Sequence, residues 1–212
     1  MSDKPIVLVT GATQGIGRAA CLIMARAGYH VIATARRQEK LEELDDEIVK
    51  LTGENATLVP LDLKDGAGID RLGGAIFERY KKLDALIHCG ATLGDLTPIA
   101  HVTPREAQGI IDVNLVATYR LIASMSPLLQ MAPNGRAIFL TSSVGANPRA
   151  NWGIYGASKA GVNAMVQAWA LENASTNIVA SILDPGGVAT GMRRKAFPGE
   201  DFSKLPQPSD LG

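Results

Sequence analysis

Residues 6–17 read IVLVTGATQGIG, an apolar run followed by a turn that contains three glycines. The apolar run predicts a buried strand, and an amphipathic helix is predicted directly after the turn, near 15–27. A glycine-rich turn between a strand and a helix lets a pyrophosphate rest on free backbone N–H groups and on the positive end of the helix dipole. Gly11 permits the tight turn, Gly15 the close approach of the backbone, and Gly17 the packing of helix against strand. The stretch therefore predicts a dinucleotide-binding unit.

Strands and helices alternate along the rest of the chain. Apolar strands without period-two alternation are typical of a parallel sheet covered on both faces, and right-handed crossovers then give a doubly wound, Rossmann-like α/β fold. No linker or repeat divides the 212 residues, so we expect one domain, 1–195, and a proline-containing tail, 196–212, that is irregular or acts as a lid. The predicted strands lie near 5–10, 30–34, 56–61, 84–89, 136–142 and 178–183, and the predicted helices near 15–27, 38–51, 68–82, 103–131 and 154–173.

Composition limits the kind of partner. Lys and Arg number 21, as do Asp and Glu, for a formal net charge of +0; because nucleic-acid-binding domains carry a basic face, we expect no nucleic-acid partner. The apolar run near the start is shorter than a signal-peptide core or a membrane span, so we expect a cytoplasmic protein with no membrane partner. The two cysteines and three histidines lack metal-ligand spacing, and we expect no metal site.

A second motif lies in residues 153–161, GIYGASKAG, at the start of a predicted helix. Tyr155 and Lys159 are four positions apart, which places them on one helix face with Cβ atoms about 5–6 Å apart. An exposed tyrosine and a solvated lysine would give the same short pattern. If the two are buried together, a cation within about 4–6 Å favours the phenolate, so we expect Lys159 to lower the pKa of Tyr155.

The glycine spacing of residues 11–17, Gly-x-x-x-Gly-x-Gly after a threonine, resembles the classical short-chain dehydrogenase/reductase family, and the resemblance extends over about residues 5–192. Tyr-x-x-x-Lys belongs in that family to an Asn-Ser-Tyr-Lys catalytic set. All four members have a match in this chain, within DVNLVAT, at the end of RAIFLTSS, and in the motif just described: Asn114, Ser142, Tyr155 and Lys159.

The resemblance implies an enzyme that transfers a hydride between a nicotinamide cofactor and a carbonyl compound or secondary alcohol. Tyr155 would be the general acid and base, and Lys159 would bind the nicotinamide ribose. Ser142 would hold the carbonyl oxygen, and Asn114 would anchor a proton-relay water.

Two arginines, Arg36 and Arg37, follow the second predicted strand, where an acidic residue would bind a free ribose 2′-hydroxyl. Guanidinium groups instead bind a 2′-phosphate with charge-assisted hydrogen bonds. We therefore expect NADP(H) to be preferred over NAD(H). The alternative is that both arginines only open the solvated helix that follows.

Further cofactor contacts are implied by the resemblance. The segment 184–190, DPGGVAT, is similar to the family's Pro-Gly-x-Val-x-Thr, which contacts the nicotinamide carboxamide. Asp62 and Leu63 would flank the adenine ring, although Asp62 could equally cap a helix. The expected cofactor contacts are Gly11, Thr13, Gln14, Gly15, Ile16, Gly17, Arg36, Arg37, Asp62, Leu63, Cys89, Gly90, Ala91, Tyr155, Lys159, Pro185, Gly186, Val188 and Thr190.

The chain departs from the family pattern after the fourth strand, where Cys89-Gly90-Ala91 replaces the usual Asn-Ala-Gly. A thiol is a weaker hydrogen-bonding group than an amide, so other groups must compensate or the cofactor loop is looser. A redox role for Cys89 would need a lowered pKa and access.

The end of the chain departs from the pattern as well. The family continues to a further helix and a seventh strand, whereas this sequence ends in PQPSDLG. Since exposed strand edges invite pairing, we expect a longer natural chain, or else a partner or the tail over the edge of the sixth strand. By resemblance we expect a homo-oligomer through the helices near 103–131 and 154–173.

Substrate contacts are expected from Val144, Asn147 and Trp152, between the serine and tyrosine positions, with Trp152 as a flat apolar wall. The basic run 193–195 either meets an anionic substrate as part of a mobile lid or is solvated surface. An NADP(H)-binding regulator without turnover is the alternative to an enzyme. A sugar-nucleotide epimerase of the extended branch is disfavoured, because the chain has neither that branch's glycine spacing nor its second domain.

Overall fold

A computed structural model describes residues 4–211 of the chain, and in these residues six strands form one parallel sheet. The strands lie within two residues of the predicted bounds, and the central ones are buried on both faces. They are β1 (Ile6–Thr10), β2 (His30–Ala35), β3 (Thr57–Pro60), β4 (Ala85–His88), β5 (Gly135–Leu140) and β6 (Ile178–Leu183).

The strand order is β3-β2-β1-β4-β5-β6, which confirms the predicted doubly wound fold. The chain runs outward from β1 to β3 and then crosses back to β4, so a crevice opens where the order reverses. Thr10, the last residue of β1, is in register with Thr34 in β2 and with His88 at the end of β4. The carboxyl ends of these three strands therefore lie side by side at the crevice.

Seven helices cover the sheet in the described residues. The predicted single helix near 103–131 is wrong in one respect: it contains a π-helical segment, Asp112–Val116, between two α-helices. The wider π turn accommodates an extra residue, a feature common at functional sites. The helices are α1 (Gly15–Arg26), α2 (Gln38–Thr52), α3 (Gly66–Tyr80), α4 (Pro104–Ile111), α5 (Ala117–Gln130), α6 (Gly153–Glu172) and α7 (Gly191–Ala196).

The sheet separates two apolar cores, and β1 contributes to both. Ile6 and Leu8 point to the core formed with α3, α5 and α6, whereas Val7 and Val9 point to the core formed with α1 and α2. Such double burial accounts for the continuous apolar pattern of the strand, because neither face meets solvent. Burial of β1 on both faces also fixes the position of the glycine turn, which follows directly after the strand.

The tail after α7 is irregular apart from short 3₁₀ turns at Phe202–Lys204 and Pro208–Leu211. The tail folds back onto the domain. The N–H of Ala189 donates to the carbonyl of Pro206 at 2.9 Å, and the last 3₁₀ turn packs against α1. The tail does not cover the edge of β6, where Val179 and Leu183 stay 51% and 40% exposed.

Candidate active site

A cavity of about 720 Å³ opens at the carboxyl ends of the strands. Its wall contains every residue predicted to contact the cofactor and three of the four predicted catalytic residues. Among the predicted site residues, Asn114 and Val144 are buried outside the wall, and Asn147 is exposed away from it.

The glycine turn forms one side of the cavity. Gly11 has a φ of +65°, and a Cβ there would approach the backbone of Gly90 to 2.9 Å; at Gly17 a Cβ would collide with the carbonyl of Gly11. The turn therefore has no room for side chains. Gln14, which precedes α1, makes no side-chain capping bond. The first N–H groups of α1 are thus left without a side-chain cap beside the cavity, as an anion site requires.

The end of β2 presents positive charge and one unpartnered hydroxyl. Arg36 and Arg37 are exposed in the cavity wall, and Arg37 lies 3.8 Å from Glu39. Thr34 lines the same wall; in residues 4–211 its Oγ1 is the only buried side-chain nitrogen or oxygen without a hydrogen-bond partner. Buried polar groups are normally paired, so this hydroxyl suits a bound ligand.

The loop after β4 is held by groups that the sequence analysis did not identify. The hydroxyl of Thr10 hydrogen-bonds Nδ1 of His88 at 2.6 Å and accepts the N–H of Gly90 at 3.2 Å. Burial, reinforced by the charge of Lys159, lowers the pKa of His88 to about 3 and keeps the imidazole neutral. Burial raises the pKa of Cys89 to about 12, so its thiol remains protonated.

Asn114 faces inward from the π-helical segment and is 1% exposed. Its Oδ1 accepts the N–H of Thr92 at 2.8 Å, and its Nδ2 donates to the carbonyl of Thr92 at 2.9 Å and to Oγ of Ser158 at 3.0 Å. Ser158 in turn donates to the carbonyl of Tyr155 at 2.7 Å. Asn114 thereby joins the loop after β4 to α6.

Tyr155 and Lys159 are buried in the first turns of α6 and are 7% and 5% exposed. The ammonium group of Lys159 donates to the carbonyl of Leu140 at 2.8 Å and lies 5.9 Å from the centre of the Tyr155 ring. Burial lowers the pKa of Lys159 to about 8. The helix therefore brings the two side chains together, while the lysine is bonded to the end of β5.

The expected lowering of the tyrosine pKa is wrong for this arrangement. Burial raises the pKa of Tyr155 to about 12, a hydrogen bond from Ser142 opposes the rise, and the charge of Asp184 adds to it. Desolvation disfavours the phenolate, and the nearest cation is turned toward a carbonyl. The phenol is therefore fully protonated at neutral pH.

The helix α7 covers the tyrosine end of the cavity. The Sδ atom of Met192 lies 3.9 Å from the Tyr155 hydroxyl, and the ring of Trp152 lies edge-on to Tyr155 with centroids 5.8 Å apart. Arg193 makes two bonds to Glu200, of 2.6 and 2.5 Å, and Lys195 bonds Asp95 at 2.8 Å. Arg193 and Lys195 are thus paired with carboxylates, and the guanidinium group of Arg194 lies 4.4 Å from the centre of the Phe202 ring.

Two features are absent from residues 4–211. None of the helices there combines the length and the apolar character needed to cross a membrane. The same residues contain no cluster of three or more histidine, cysteine or acidic side chains arranged to hold a metal ion.

A doubly wound sheet with a serine, a tyrosine and a lysine at its glycine-turn crevice defines a class, the dinucleotide-dependent oxidoreductases. A family model described as short chain dehydrogenase matches residues 5–201. The chain belongs to the short chain dehydrogenase family.

Named relatives and a solved structure agree with this assignment. The chain is 38% identical to the uncharacterized oxidoreductase YciK of Escherichia coli K12, over all of this chain and 84% of that protein. It is 30% identical to the NADP-dependent 3-hydroxy acid dehydrogenase YdfG of Shigella flexneri, over 92% of this chain and 78% of that one. A crystal structure of a Shigella flexneri short chain dehydrogenase complexed with NADP superposes with a TM-score of 0.94 at 38% identity, covering 100% of this chain and 88% of that chain.

Proposed function

We propose that this protein is an NADP(H)-dependent oxidoreductase that interconverts a carbonyl compound and its alcohol, with Tyr155 as general acid and base. The observation that carries the proposal is the environment of the phenol. Ser142 lies close enough to oppose the rise in its pKa, Lys159 lies on the same face of α6, and all three line the cavity that begins at the glycine turn. Hydride addition to a carbonyl requires an acid at the forming alkoxide, and this phenol is suited to supply it.

The residues of the crevice fit NADP(H). The glycine turn, with no room for side chains, and the free N–H groups of α1 suit the pyrophosphate. Arg36 and Arg37, with no carboxylate in the strand before them, suit a 2′-phosphate, and the unpartnered hydroxyl of Thr34 lies in the same wall. Two relatives support the choice, since one is named NADP-dependent and another was crystallised with NADP. The bound cofactor would supply or accept the hydride.

The proton is held at Oη of Tyr155. Because burial keeps the pKa of this phenol near 12, the site is set for carbonyl reduction, in which the phenol donates to a strongly basic alkoxide. Alcohol oxidation requires the phenolate, which burial disfavours until a positive charge approaches. We therefore propose that at neutral pH the phenol is held in the protonated form, which is the form that carbonyl reduction uses.

The neighbouring groups have distinct proposed roles. Ser142 donates to the substrate oxygen and keeps it within reach of the phenol. Lys159 holds the nicotinamide ribose and, being cationic below pH 8 or so, stabilises the phenolate left after proton transfer. Asn114 positions α6 relative to the cofactor loop through Thr92 and Ser158; its link to a proton-relay water stays a prediction.

The function is tested by measuring NADPH binding through its fluorescence and then NADPH oxidation with aldehydes, ketones, quinones and 3-oxoacyl thioesters. We expect NADPH to bind and at least one carbonyl class to be reduced. Tight binding without oxidation of any acceptor would instead favour the regulator. Failure to bind NADPH would contradict both.

We also propose self-association through α5 and α6. Apolar side chains remain exposed on these helices, namely Tyr119 (58%) and Val116 (40%) around the start of α5, and Leu171 (78%) near the end of α6. Sedimentation of the purified chain tests this, because a purely monomeric protein at micromolar concentration would contradict it. A cytoplasmic location is proposed as well, and the two unpaired cysteines accord with a reducing compartment; cell fractionation tests it.

A further inference from the structure

We propose that the substrate is a neutral carbonyl compound with an apolar, preferably aromatic, body, and that carboxylates are discriminated against. The inference rests on the proposed function, because it concerns the part of the cavity next to Tyr155. It follows from the composition of the wall, from the pairing of the nearby cations, and from the position of one acid.

The wall beside the phenol is apolar. Tyr155 forms a buried cluster with Leu93 and Val144, and the side chains of Leu96, Trp152 and Met192 pack against that cluster. The ring of Trp152 stands between two others, with centroids 5.8 Å from Tyr155 and 5.7 Å from Phe197. A flat apolar group can gain contact on this aromatic wall, whereas a charged group would lose its hydration there.

Arg193, a cation that packs against this wall, is already paired with a carboxylate. Arg193 makes a two-point bond to Glu200, with distances of 2.6 and 2.5 Å, and its guanidinium carbon lies over Phe197 at 3.9 Å from the ring centre. This bond lowers the pKa of Glu200, whose carboxylate stays ionised. A substrate carboxylate would have to displace Glu200 or sit beside it, and both arrangements cost free energy.

Lys159 and Arg105 also line the cavity. The ammonium group of Lys159 donates to the carbonyl of Leu140 at 2.8 Å and is assigned to the nicotinamide ribose, and Arg105 lies next to Glu106 on α4. Lys195 is paired with Asp95 at 2.8 Å. Arg36 and Lys64 belong to the loops after β2 and β3, at the opposite end of the wall. Asp184 lines the cavity close enough to the phenol to oppose its ionisation, and its carboxylate would repel a second anion.

Methionine adds adaptability rather than charge. The Sδ atom of Met192, 3.9 Å from the phenol oxygen, occupies the place where a substrate carbonyl must come. An unbranched thioether can change rotamer at low cost, so Met192 can move aside and cover the apolar body of the substrate. The charged contacts of α7 need not break for this to happen.

A matched pair of ketones tests the inference: methyl 4-acetylbenzoate and 4-acetylbenzoate share one reacting carbonyl and differ in charge. We expect kcat/KM with NADPH to be at least tenfold higher for the ester, and equal or higher values for the carboxylate would overturn the inference. Binding is measured separately by quenching of Trp152 fluorescence in the NADPH-loaded protein, where the other tryptophan, Trp169, is buried in the core. Preferential binding of the ester without turnover would support the charge preference and count against the proposed function alone; equal binding, or none, would overturn the inference.

The role of Glu200 is tested by Glu200→Gln, which frees the Arg193 guanidinium group. We expect kcat/KM for 4-acetylbenzoate to rise severalfold while that for the ester stays the same, and the gain should vanish in the double variant with Arg193→Met. Asp201→Asn is the matched control, because that acid lies next in the chain and bonds Ser203 and Lys204 instead. An unchanged ratio in Glu200→Gln protein that melts normally would overturn the assignment to Arg193 and Glu200.

Discussion

The ammonium group of Lys159 bonds the carbonyl oxygen of Leu140 at 2.8 Å, while it lies 5.9 Å from the centre of the Tyr155 ring. The lysine thereby ties α6 to the end of β5, where Leu140 lies only two residues before Ser142. The same contact explains why the phenol keeps its proton, because the nearest cation is directed to a carbonyl and burial dominates. Tyr155, Lys159 and Ser142 are therefore positioned by one helix and one strand end.

Replacing Tyr155 with phenylalanine removes the proposed proton donor and leaves the ring in place. We expect NADPH affinity to change little and turnover to fall by a factor of about 100 or more, the lower end of what general acid catalysis supplies. Fluorescence titration and steady-state NADPH oxidation measure the two effects. Activity near that of the original protein would contradict the role of Tyr155.

Arg36→Ala tests the choice of cofactor. A charge-assisted hydrogen bond contributes roughly 1.5–3 kcal/mol, and solvent exposure of Arg36 reduces this, so we expect NADPH affinity to fall about tenfold and NADH affinity to change much less. Arg26→Ala is the control, because it removes the same charge at the far end of α1. Equal losses for both cofactors would remove the argument for a 2′-phosphate site.

Asn114→Ala would leave the partly buried N–H and carbonyl of Thr92 and the buried Oγ of Ser158 without their side-chain partner. Since an unsatisfied buried group costs about 1–3 kcal/mol, we expect a loss of stability of that order together with weaker NADPH binding. Urea unfolding and cofactor titration measure these effects. Unchanged stability and unchanged NADPH affinity in Asn114→Ala would contradict the proposed bridge.

His88 makes stability depend on pH. Its folded pKa, about 3, lies below the ordinary 6.5, so the unfolded chain binds the extra proton and stability falls as pH decreases from about 6.5 toward 3. At roughly 1.4 kcal/mol per pKa unit, the loss can reach about 5 kcal/mol. We expect His88→Gln to flatten this slope in urea unfolding measured from pH 7 to pH 4.

The control for His88 is His101→Gln, a change at an exposed histidine that should leave the slope unaltered. Some slope should persist in the His88 variant, because burial also lowers the pKa of His30. An identical slope in the original protein and in His88→Gln would show that the imidazole is not the titrating group.

The sequence was most informative where a function depends on local spacing. The glycine turn and the pair Tyr155 and Lys159 require only the geometry of one turn or one helix, so their placement in one cavity could be predicted. The partner of Lys159 could not, because Leu140 lies nineteen residues away and the bond depends on how α6 packs on the sheet. The tyrosine pKa was misjudged for the same reason, since its burial depends on packing against Trp152 and Met192.

Other features of the site could not be predicted because they depend on residues from separate elements or on irregular backbone. Thr10 and His88 are the last residues of strands that become neighbours, so their contact follows from sheet order once that order is known. Asn114 was predicted as a site residue from the family resemblance, but its π-helical setting has no counterpart in a simple helical period. The pairing of Arg193 with Glu200, seven residues on, requires a bend after α7 that the basic run alone does not indicate.

The two edge strands of the sheet, β3 and β6, differ in how readily another chain can pair with them. The edge strand β3 is four residues long and ends in Pro60, and both features hinder the addition of another strand. The edge strand β6, IVASIL, contains neither a proline nor a charged residue, and its Val179 and Leu183 side chains are exposed to solvent. Concentrated solutions of the 212-residue chain should therefore aggregate through intermolecular β-pairing. Val179→Lys should slow this aggregation.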